Sequence, residues 1–319
     1  MISLQPQTGN LHPQYDAKSV ERAGSALSTM SDFVIPYGPQ LAIAGRIGVL
    51  HARSLGRIGR PLQGLRLSQV SQAGKTNTLE TARPRIMKTT ILANGEANPF
   101  QVLYINLEVR ITAKILFVQL LRMLGDPHAE QGNIEEVKRR TDILMRERGV
   151  ELLMVDEVQH LARESRDKVD VTDELKRFLD MGICPVVFAG NEDSKPFFER
   201  NQQLASRLGA PLELTPVDAR DGGQLSNFKR FCGNLDDELV TTGVMNEQSG
   251  FLDSGMLNAL LFASGGHIGR VFRIVESAVE HAALRQASRV EPYDVSYAID
   301  NFAIPGAYVS RNPMRGSRG

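Results

Sequence analysis

Two adjacent carboxylates, Asp156 and Glu157, follow an apolar run of four residues, 152–155. A short apolar run of this kind is typical of a strand that is buried on both faces in a parallel sheet. Two acids at the carboxyl end of such a strand are costly unless a cation balances them. One interpretation is therefore that Asp156 binds Mg²⁺ and that Glu157 polarises an attacking water. The alternative is a strand that ends in a solvated acidic turn, and this segment alone leaves both interpretations open.

A phosphate-binding loop is indicated upstream, where residues 69–76 read QVSQAGKT. They match the pattern G-x-x-x-x-G-K-[ST] at every position except the first. Gly74 lets the backbone approach a phosphate, Lys75 offers a charge to the β and γ phosphates, and Thr76 offers a hydroxyl to Mg²⁺ at a helix start. Because this motif and the acid pair have matching mechanisms, together they predict that the chain binds ATP and Mg²⁺. The other loop residues that we expect to line the nucleotide are Ser71, Gln72 and Ala73.

Gln69 occupies the position at which the motif has its first glycine. That glycine normally relieves a tight turn between strand and loop. A glutamine is compatible with the loop if its backbone stays in the β region, but it can weaken or reshape the nucleotide site. We therefore expect nucleotide binding with slow hydrolysis; the alternative is a loop that keeps only the appearance of the motif.

The middle of the chain alternates between short apolar runs and amphipathic segments, which predicts a parallel α/β sheet in three layers. In such sheets ligands bind at the carboxyl ends of the strands, where Thr76, Asp156 and Asn191 all fall. The predicted strands are residues 65–68, 101–107, 152–156, 184–190 and 212–215. The predicted helices run from residue 75 to a stop or kink near Pro84, over 112–124, over 133–148, and from near residue 172 to 182.

From about residue 219 the pattern becomes helical, and the clearest helix repeats apolar residues at three- and four-residue spacing over 268–282. The expected organisation is an N-terminal extension (1–60), a nucleotide-binding domain (61–218), a helical lid (219–305) and a loose tail (306–319). Residues 1–32 show little periodicity and are rich in Gln, Pro, Ser and Asn, so we expect an extended arm there.

Composition restricts the possible partners. The chain has 37 basic and 37 acidic residues, so binding to nucleic acid requires a local patch. Between Phe33 and Leu79 there is no acidic residue, which indicates either a basic face for phosphate backbones or a solvated arginine-bearing helix beside an ATP site. The absence of Trp argues against recognition by base stacking. The basic residues of this segment are Arg46, Arg53, Arg57, Arg60, Arg66 and Lys75.

The sequence predicts a soluble cytoplasmic protein without a membrane partner. No apolar stretch reaches 18 residues, and the first residues lack the charged-then-apolar pattern of a signal peptide. Cys184 and Cys232 lie in apolar or helical contexts, so we expect buried free thiols in a reducing compartment.

Four features together resemble the AAA+ ATPases: the phosphate loop, the strand ending in the acid pair, the apolar strand ending in Asn191, and a helical domain that opens with G-x-x-G-R. The resemblance covers about residues 65–304. It implies that Lys75 and Thr76 bind phosphate and Mg²⁺, and that Asp156 is the Walker B metal ligand. It also implies that Glu157 is the general base and that Asn191 is the sensor 1 residue for the γ-phosphate.

The same resemblance implies roles for two arginines. Arg207, in the segment NQQLASRLG, would be the arginine finger that one subunit offers to its neighbour, with Arg200 as the fallback. Arg270 would be the sensor 2 residue of the lid and would contact the nucleotide. A finger supplied between subunits makes a homo-oligomer part of the mechanism. The alternative for each arginine is a salt bridge on a helix surface.

Within the AAA+ proteins, the segments VDEVQHL, CPVVFAGNED, NQQLASR and GGHIGRVFRIVESAVEHA are most similar to the transposition regulators of the TniB/TnsC type. This resemblance implies an ATP-dependent ring or helical filament on duplex DNA, which recruits or activates the transposase, works with target-selector proteins and disassembles on hydrolysis. For DNA contacts we expect Arg110 and Lys114, together with the basic run before the loop, to bind phosphates rather than bases. Two alternatives remain: an AAA+ loader or initiator in replication or repair, and a nucleotide-locked scaffold with little turnover.

Overall fold

Four short apolar segments form a parallel sheet in this computed structural model, which describes residues 15–69, 74–88, 91–92, 95–161 and 166–315. The strands at residues 152–156 and 186–190 are buried at every position, as expected for strands covered on both faces. The sheet order is β1-β4-β3-β2, and each of these four strands was predicted from the sequence. The strands are β1 (Leu65–Ser68), β2 (Val102–Asn106), β3 (Leu152–Asp156) and β4 (Val186–Gly190).

The register of the sheet aligns the carboxyl ends of the strands. Ser68 pairs with Gly190, and Asn106 pairs with Asp156. The residues that follow β1, β3 and β4 therefore emerge along one edge. This is the arrangement that brings the phosphate loop, the acid pair and Asn191 to the same side of the sheet.

The helices begin where the sequence supplies capping groups: the Thr112 side chain accepts from the N–H of Ile115, and Asn133 forms a capping box with Glu136. The helices are α1 (Ala17–Met30), α2 (Gly38–Leu55), α3 (Lys75–Met87), α4 (Ala113–Met123), α5 (Ile134–Glu147), α6 (Arg166–Asp180), α7 (Lys195–Arg200), α8 (Gln202–Ala205), α9 (Gly222–Thr241), α10 (Ser254–Ser264), α11 (Ile268–Leu284) and α12 (Pro292–Ala298).

By internal contacts the chain divides into two units. The first, Pro36–Thr215, contains the sheet and is called the sheet unit. The second contains the described residues of Met1–Ile35 and Pro216–Gly319 and is called the helical unit. The domain boundaries expected from the sequence stay a prediction.

One core of the sheet unit lies where α4, α5 and α6 cover a face of the sheet. Phe117 of α4 meets Phe178 of α6 edge to face, with 6.2 Å between the ring centroids. Leu153 and Val155 of β3 belong to the same core. Alternate residues of a strand point to opposite faces, so Leu152 and Met154 are buried on the other side.

Helix α3 contains Pro84 and ends three residues later at Met87, and a kink at Pro84 stays a prediction. Two other local predictions for the sheet unit were wrong. Helix α6 begins at Arg166, ahead of the expected start. Residues 212–215 form no strand; Leu212 makes one parallel bridge with Leu67, and the prolines on either side of 212–215 lack the donors that a ladder needs.

The helical unit contains the other two differences. Instead of an extended arm, residues 17–30 form α1, which is capped by Asp16 and packs against α11. The expected loose tail is packed over 306–315: Tyr308 contacts Phe302 edge to face, and the Asn312 amide donates to the Ser296 carbonyl at 2.9 Å. Residues 1–14 and 316–319 lie outside the described residues.

Both cysteines are free and buried, as predicted. Burial raises the pKa of the Cys184 thiol and of the Cys232 thiol to about 12, so both stay neutral. No helix in the described part of the chain combines the length and the apolar character that crossing a bilayer requires.

Candidate nucleotide site

Lys75 and the acid pair come together at the carboxyl edge of the sheet. The Lys75 Nζ lies 2.8 Å from Asp156 Oδ1 and 2.8 Å from Glu157 Oε1. The Lys75 side chain is 12% exposed and that of Asp156 only 2%, so the ion pair is mostly shielded from water. Removing one partner from such a pair costs about 3–5 kcal/mol, because the other charge is left uncompensated.

Asp156 is the most densely contacted group of the site. Its Oδ2 accepts from the Tyr104 hydroxyl at 2.8 Å and lies 3.4 Å from the Thr76 Oγ1. Burial raises the pKa of Tyr104 far above its ordinary value, and the negative charge and hydrogen bond of Asp156 raise it further. Tyr104 therefore stays protonated and orients the carboxylate as a donor. The Thr76 contact is long for an O–H···O hydrogen bond, so Oδ2 keeps acceptor capacity, whereas Oδ1 already accepts from Lys75 and from the Glu157 N–H.

Glu157 is held in an unusual backbone conformation. Its φ is 60°, in the left-handed region, which costs a residue other than glycine about 1–3 kcal/mol. Three contacts stabilise this conformation: the Glu157 N–H donates to Asp156 Oδ1 at 2.7 Å, Lys75 pairs with Oε1, and the Gln159 amide donates to Oε2. Gln159 in turn accepts from the N–H of Asn191 at 3.1 Å. Gln159 thus connects the predicted general base to the segment after β4.

Gly74 is the N-cap residue of helix α3 and has a φ of +93°, a conformation that suits glycine. Its carbonyl accepts from the Thr78 N–H at 3.0 Å and from the Gln40 Nε2 at 2.9 Å. Gln40 is 3% exposed and comes from α2, which packs along α3. The N-terminal part of the sheet unit therefore supports the phosphate loop directly.

Gln69 is buried at the start of the loop, and both polar atoms of its side chain lack a hydrogen-bond partner within the described part of the chain. An unpaired buried group costs about 1–3 kcal/mol. The backbone N–H of Gln69 donates to the Gly190 carbonyl at 3.1 Å, so its backbone continues the ladder of β1. The glutamine is thus tolerated in extended backbone, but it leaves an unsatisfied amide beside the loop.

These residues fit a nucleoside triphosphate with Mg²⁺. The first turn of α3 leaves backbone N–H groups without helical acceptors, at the positive end of a 13-residue helix. Lys75 supplies a cation there, and Thr76 with Asp156 supplies the hard oxygen atoms that Mg²⁺ prefers. Among the described residues no group of three or more His, Cys, Asp or Glu could hold a metal ion.

The other residues predicted for this site stand as follows. The Asn191 side chain caps its own turn, accepting from the Asp193 N–H at 2.9 Å rather than contacting the acid pair. Arg207 pairs through Nε with Asp180 at 2.6 Å, and Arg200 donates to the Pro196 carbonyl at 3.1 Å. Three predicted loop residues, Ser71, Gln72 and Ala73, lie outside the described residues.

The remaining predicted residues lie elsewhere. Arg270, in the first turn of α11 in the helical unit, stacks its guanidinium over the Tyr308 ring at 4.7 Å, and its buried Nε has no hydrogen bond to any residue that the structure describes. Arg110 is exposed in the segment between β2 and α4. Lys114 is exposed on α4 and donates to the Gly132 carbonyl at 3.0 Å.

Sequence reasoning missed three residues that organise the site: Tyr104, Gln159 and Gln40. A tyrosine within an apolar strand was a visible signal, but its partner was not, because only the register shows that Tyr104 pairs with Met154, two residues before Asp156. Gln159 was visible as a polar residue two positions after the acid pair. Gln40 carried no local signal, since its contact spans 34 residues.

The parallel sheet, with the helix that follows its first strand and the acid pair that ends its third, has the AAA+ fold, as comparison with solved structures shows. Solved structures with the fold include the Aeropyrum pernix ORC1 protein in complex with DNA, at a TM-score of 0.61 and 21% identity, covering 86% of this chain and 68% of that one. Another is CDC6P from Pyrobaculum aerophilum, at a TM-score of 0.57 and 15% identity, covering 85% and 69%. Drosophila ORC bound to DNA aligns with a TM-score of 0.51 and 20% identity, covering 94% and 70%.

The particular family follows from the sequence. Residues 33–216, more than half of the chain, match the family described as bacterial TniB protein. The chain belongs to this family, as the resemblance predicted. No curated protein matches it.

Proposed function

We propose that this protein is an ATP-dependent, DNA-binding regulator of transposition that assembles head to tail on duplex DNA. The observation that carries the proposal is the contact of Lys75 with Asp156 and Glu157, beside Thr76 and the start of α3. Membership in the TniB family supports the transposition role.

The nucleotide part of the proposal assigns each residue a task. Bound ATP with Mg²⁺ supplies the phosphoanhydride bond whose hydrolysis is the reaction. Lys75 exchanges its carboxylate partners for phosphate oxygens, which releases Glu157. Asp156, oriented by Tyr104, offers its oxygen to the metal together with Thr76. Glu157 accepts a proton from the attacking water, and Gln159 keeps its carboxylate aligned.

The oligomeric part of the proposal rests on the position of Arg207. Its carbonyl accepts from the N–H of Gly64, at the amino end of β1, whereas the phosphate loop follows the carboxyl end. Five residues of extended chain separate these ends by about 16 Å. Arg207 is therefore suited to the nucleotide of a neighbouring subunit, which is the arrangement of an arginine finger.

The DNA part of the proposal rests on Arg110 and Lys114, which are exposed in and after the loop that follows β2. Both supply positive charge, and neither stacks on an aromatic ring of the described residues, so binding should track phosphates and weaken with salt. Two structures of similar fold, ORC1 of Aeropyrum pernix and Drosophila ORC, are bound to DNA. The partners of such an assembly would be the transposase and target-selector proteins, in the cytoplasm.

Negative-stain imaging with duplex DNA tests the proposal. The protein is imaged on DNA under three conditions: with a slowly hydrolysed ATP analogue, with ADP, and without nucleotide. We expect rings or filaments on DNA only with the analogue. A protein that stays monomeric with both DNA and the analogue would contradict the proposal.

A second candidate function is a nucleotide-locked scaffold with little turnover, and the unpaired amide of Gln69 favours it. In that case Glu157→Gln leaves ATP hydrolysis and assembly unchanged, whereas under the first proposal it stabilises ATP-bound assemblies. Gln69→Gly restores the motif and should raise the hydrolysis rate only if the glutamine is what limits turnover. A third candidate, a replication or repair loader, is favoured only by the fold shared with ORC, and copurification of a helicase rather than a transposase would identify it.

A further inference from the structure

A groove of about 1040 Å³ lies in the helical unit, along the exposed face of α10, and we call it the α10 groove. One wall is α10 itself, and the other is the packed segment 311–315. Clefts that hold ligands measure about 300–1,000 Å³, so this groove has room for several residues of a peptide. Its lining includes Asn258, Ala259, Phe262, Asp300, Arg311 and Met314.

Hydrogen bonds hold the second wall in place. Asn312 is only 7% exposed, and its amide donates to the Ser296 carbonyl at 2.9 Å and to the Ser296 Oγ at 3.0 Å. The Asn312 side-chain oxygen accepts from the Met314 N–H at 2.9 Å. A wall that is fixed in this way does not have to be ordered when a ligand binds, which lowers the entropic cost of binding.

The charges that line the groove are not balanced within the described part of the chain. Arg315 pairs with Asp300 at 2.5 Å. Arg311 forms no ion pair with any residue that the structure describes, and its guanidinium lies over the Phe262 ring, 5.9 Å from the centroid. Two guanidinium groups less one carboxylate leave a net charge of about +1. The unpaired guanidinium of Arg311 can donate two parallel hydrogen bonds to a carboxylate.

The apolar part of the groove is open to solvent. Phe262 is 46% exposed and lies one turn of α10 beyond Ala259. Pro313 and Met314 line the same groove from the other wall. An aromatic ring gains most from a second ring that packs edge to face or offset, and a methionine adapts its shape to an irregular partner. The groove is therefore suited to a bulky apolar side chain, above all an aromatic one.

We propose that the α10 groove binds a peptide segment of a partner protein in which an aromatic side chain lies close to a carboxylate. The aromatic side chain packs on Phe262 and Met314, and the carboxylate pairs with Arg311. The exposed Asn258 amide, which has no hydrogen bond within the described residues, offers a donor and an acceptor to the peptide backbone. All of these residues belong to the helical unit and none to the candidate nucleotide site, so the groove can act whether or not the proposed function holds.

The lining favours a peptide over a nucleic-acid duplex. Asp300 neutralises Arg315 and leaves Arg311 as the one unpaired cation among the lining residues that the structure describes. A duplex backbone calls for several cations along a track, because each phosphate carries its own charge. A sugar-phosphate backbone would also leave Phe262 and Met314 without apolar partners.

Fluorescence anisotropy of labelled peptides tests the proposal on the full chain without nucleotide. The probes are short fluorescein-labelled peptides of Gly and Ser, each with one Phe and one Glu at a different spacing along the peptide. We expect at least one spacing to bind with a dissociation constant below about 1 mM. Replacing the Phe of that peptide by Ala, or its Glu by Lys, should weaken binding about tenfold or more.

Matched variants test whether the peptide occupies the groove. Arg311→Ala should weaken binding about tenfold or more and Arg311→Lys less, whereas Arg289→Ala, exposed elsewhere in the helical unit, should have no effect. Gly255→Leu should block the groove, because an added Cβ at Gly255 meets nothing within 4 Å and its side chain extends into the open space. Gly222→Leu, at the equally open start of α9, is the control. Both leucine variants should keep or raise the urea midpoint of unfolding.

Three results would overturn the inference. The first is that no peptide binds below about 1 mM, or that binding survives both Arg311→Ala and Gly255→Leu. The second is that duplex DNA displaces the peptide and itself depends on Arg311, which would assign the groove to phosphates. The third is self-association of the protein that Gly255→Leu abolishes, which would assign the groove to a second copy of the chain.

Discussion

Replacing Gly74 with alanine tests the geometry of the phosphate loop most directly. An added Cβ would meet the Gln40 Nε2 at 2.6 Å, and the φ of +93° is strained for any residue with a side chain. The left-handed conformation costs about 1–2 kcal/mol. The Gln40 amide can swing away from the Cβ, but it then loses its 2.9 Å hydrogen bond to the Gly74 carbonyl, which costs about 1 kcal/mol. The expected total is about 2–3 kcal/mol.

Urea unfolding and titration with a fluorescent ATP analogue measure this cost. If the variant keeps the loop conformation, we expect the urea midpoint of unfolding to fall. If the loop relaxes and recovers its conformation only on binding, we expect the dissociation constant for the ATP analogue to rise by about 30–150-fold. Gly45→Ala is the matched control. Gly45 lies within α2, and its added Cβ meets nothing within 4 Å, so this change should stabilise the protein by about 0.5–1 kcal/mol.

A double-mutant cycle separates the two contributions. In a Gln40→Ala background the amide is absent, so Gly74→Ala should cost about 1 kcal/mol less than in the wild type. Strict additivity of the two changes would refute the contact between α2 and the loop. A Gly74→Ala variant with wild-type stability and wild-type ATP affinity would refute the whole account of the loop.

Three further predictions concern the charged groups. Glu157→Gln should slow ATP hydrolysis about 10²–10⁴-fold and prolong the assemblies seen by light scattering, with the exposed Glu147→Gln as control. Lys75→Ala should abolish ATP-dependent assembly on DNA in sedimentation, whereas Lys88→Ala, at the other end of α3, should not. Burial raises the pKa of Asp294, but hydrogen bonds from Arg285 and other donors outweigh it and hold that pKa below its ordinary value. The carboxylate therefore stabilises the helical unit above about pH 4 and loses this effect as the pH falls through the folded pKa, and Asp294→Asn should flatten that acid limb in urea unfolding.

Local patterns in the sequence were enough to identify four residues of the candidate nucleotide site. Lys75, Thr76, Asp156 and Glu157 were identified from two short motifs, and the structure brings them within hydrogen-bonding or ion-pairing distance. The four strands were also predicted, because a run of apolar residues buried on both faces leaves its mark within a few positions.

The same reasoning failed where a segment's structure depends on a distant partner. Residues 17–30 form α1, and its buried residues Ser19, Ala23, Ala26 and Met30 recur at three- and four-residue spacing. Three of these four side chains are small or polar, so their burial depends on α11, some 250 residues away along the chain. Residues 212–215 have an apolar pattern but no ladder, because the adjacent prolines lack donors.

The sequence by itself determined the family, the order of the strands along the chain and the residues of the candidate nucleotide site. Only the tertiary structure decided that Tyr104 orients Asp156, that Gln40 supports Gly74, and that Phe262 and Arg311 share one groove. Local motifs depend on neighbouring residues and can be read directly. Contacts between distant residues depend on sheet register and helix packing, which arise only when the whole chain buries its apolar surface together.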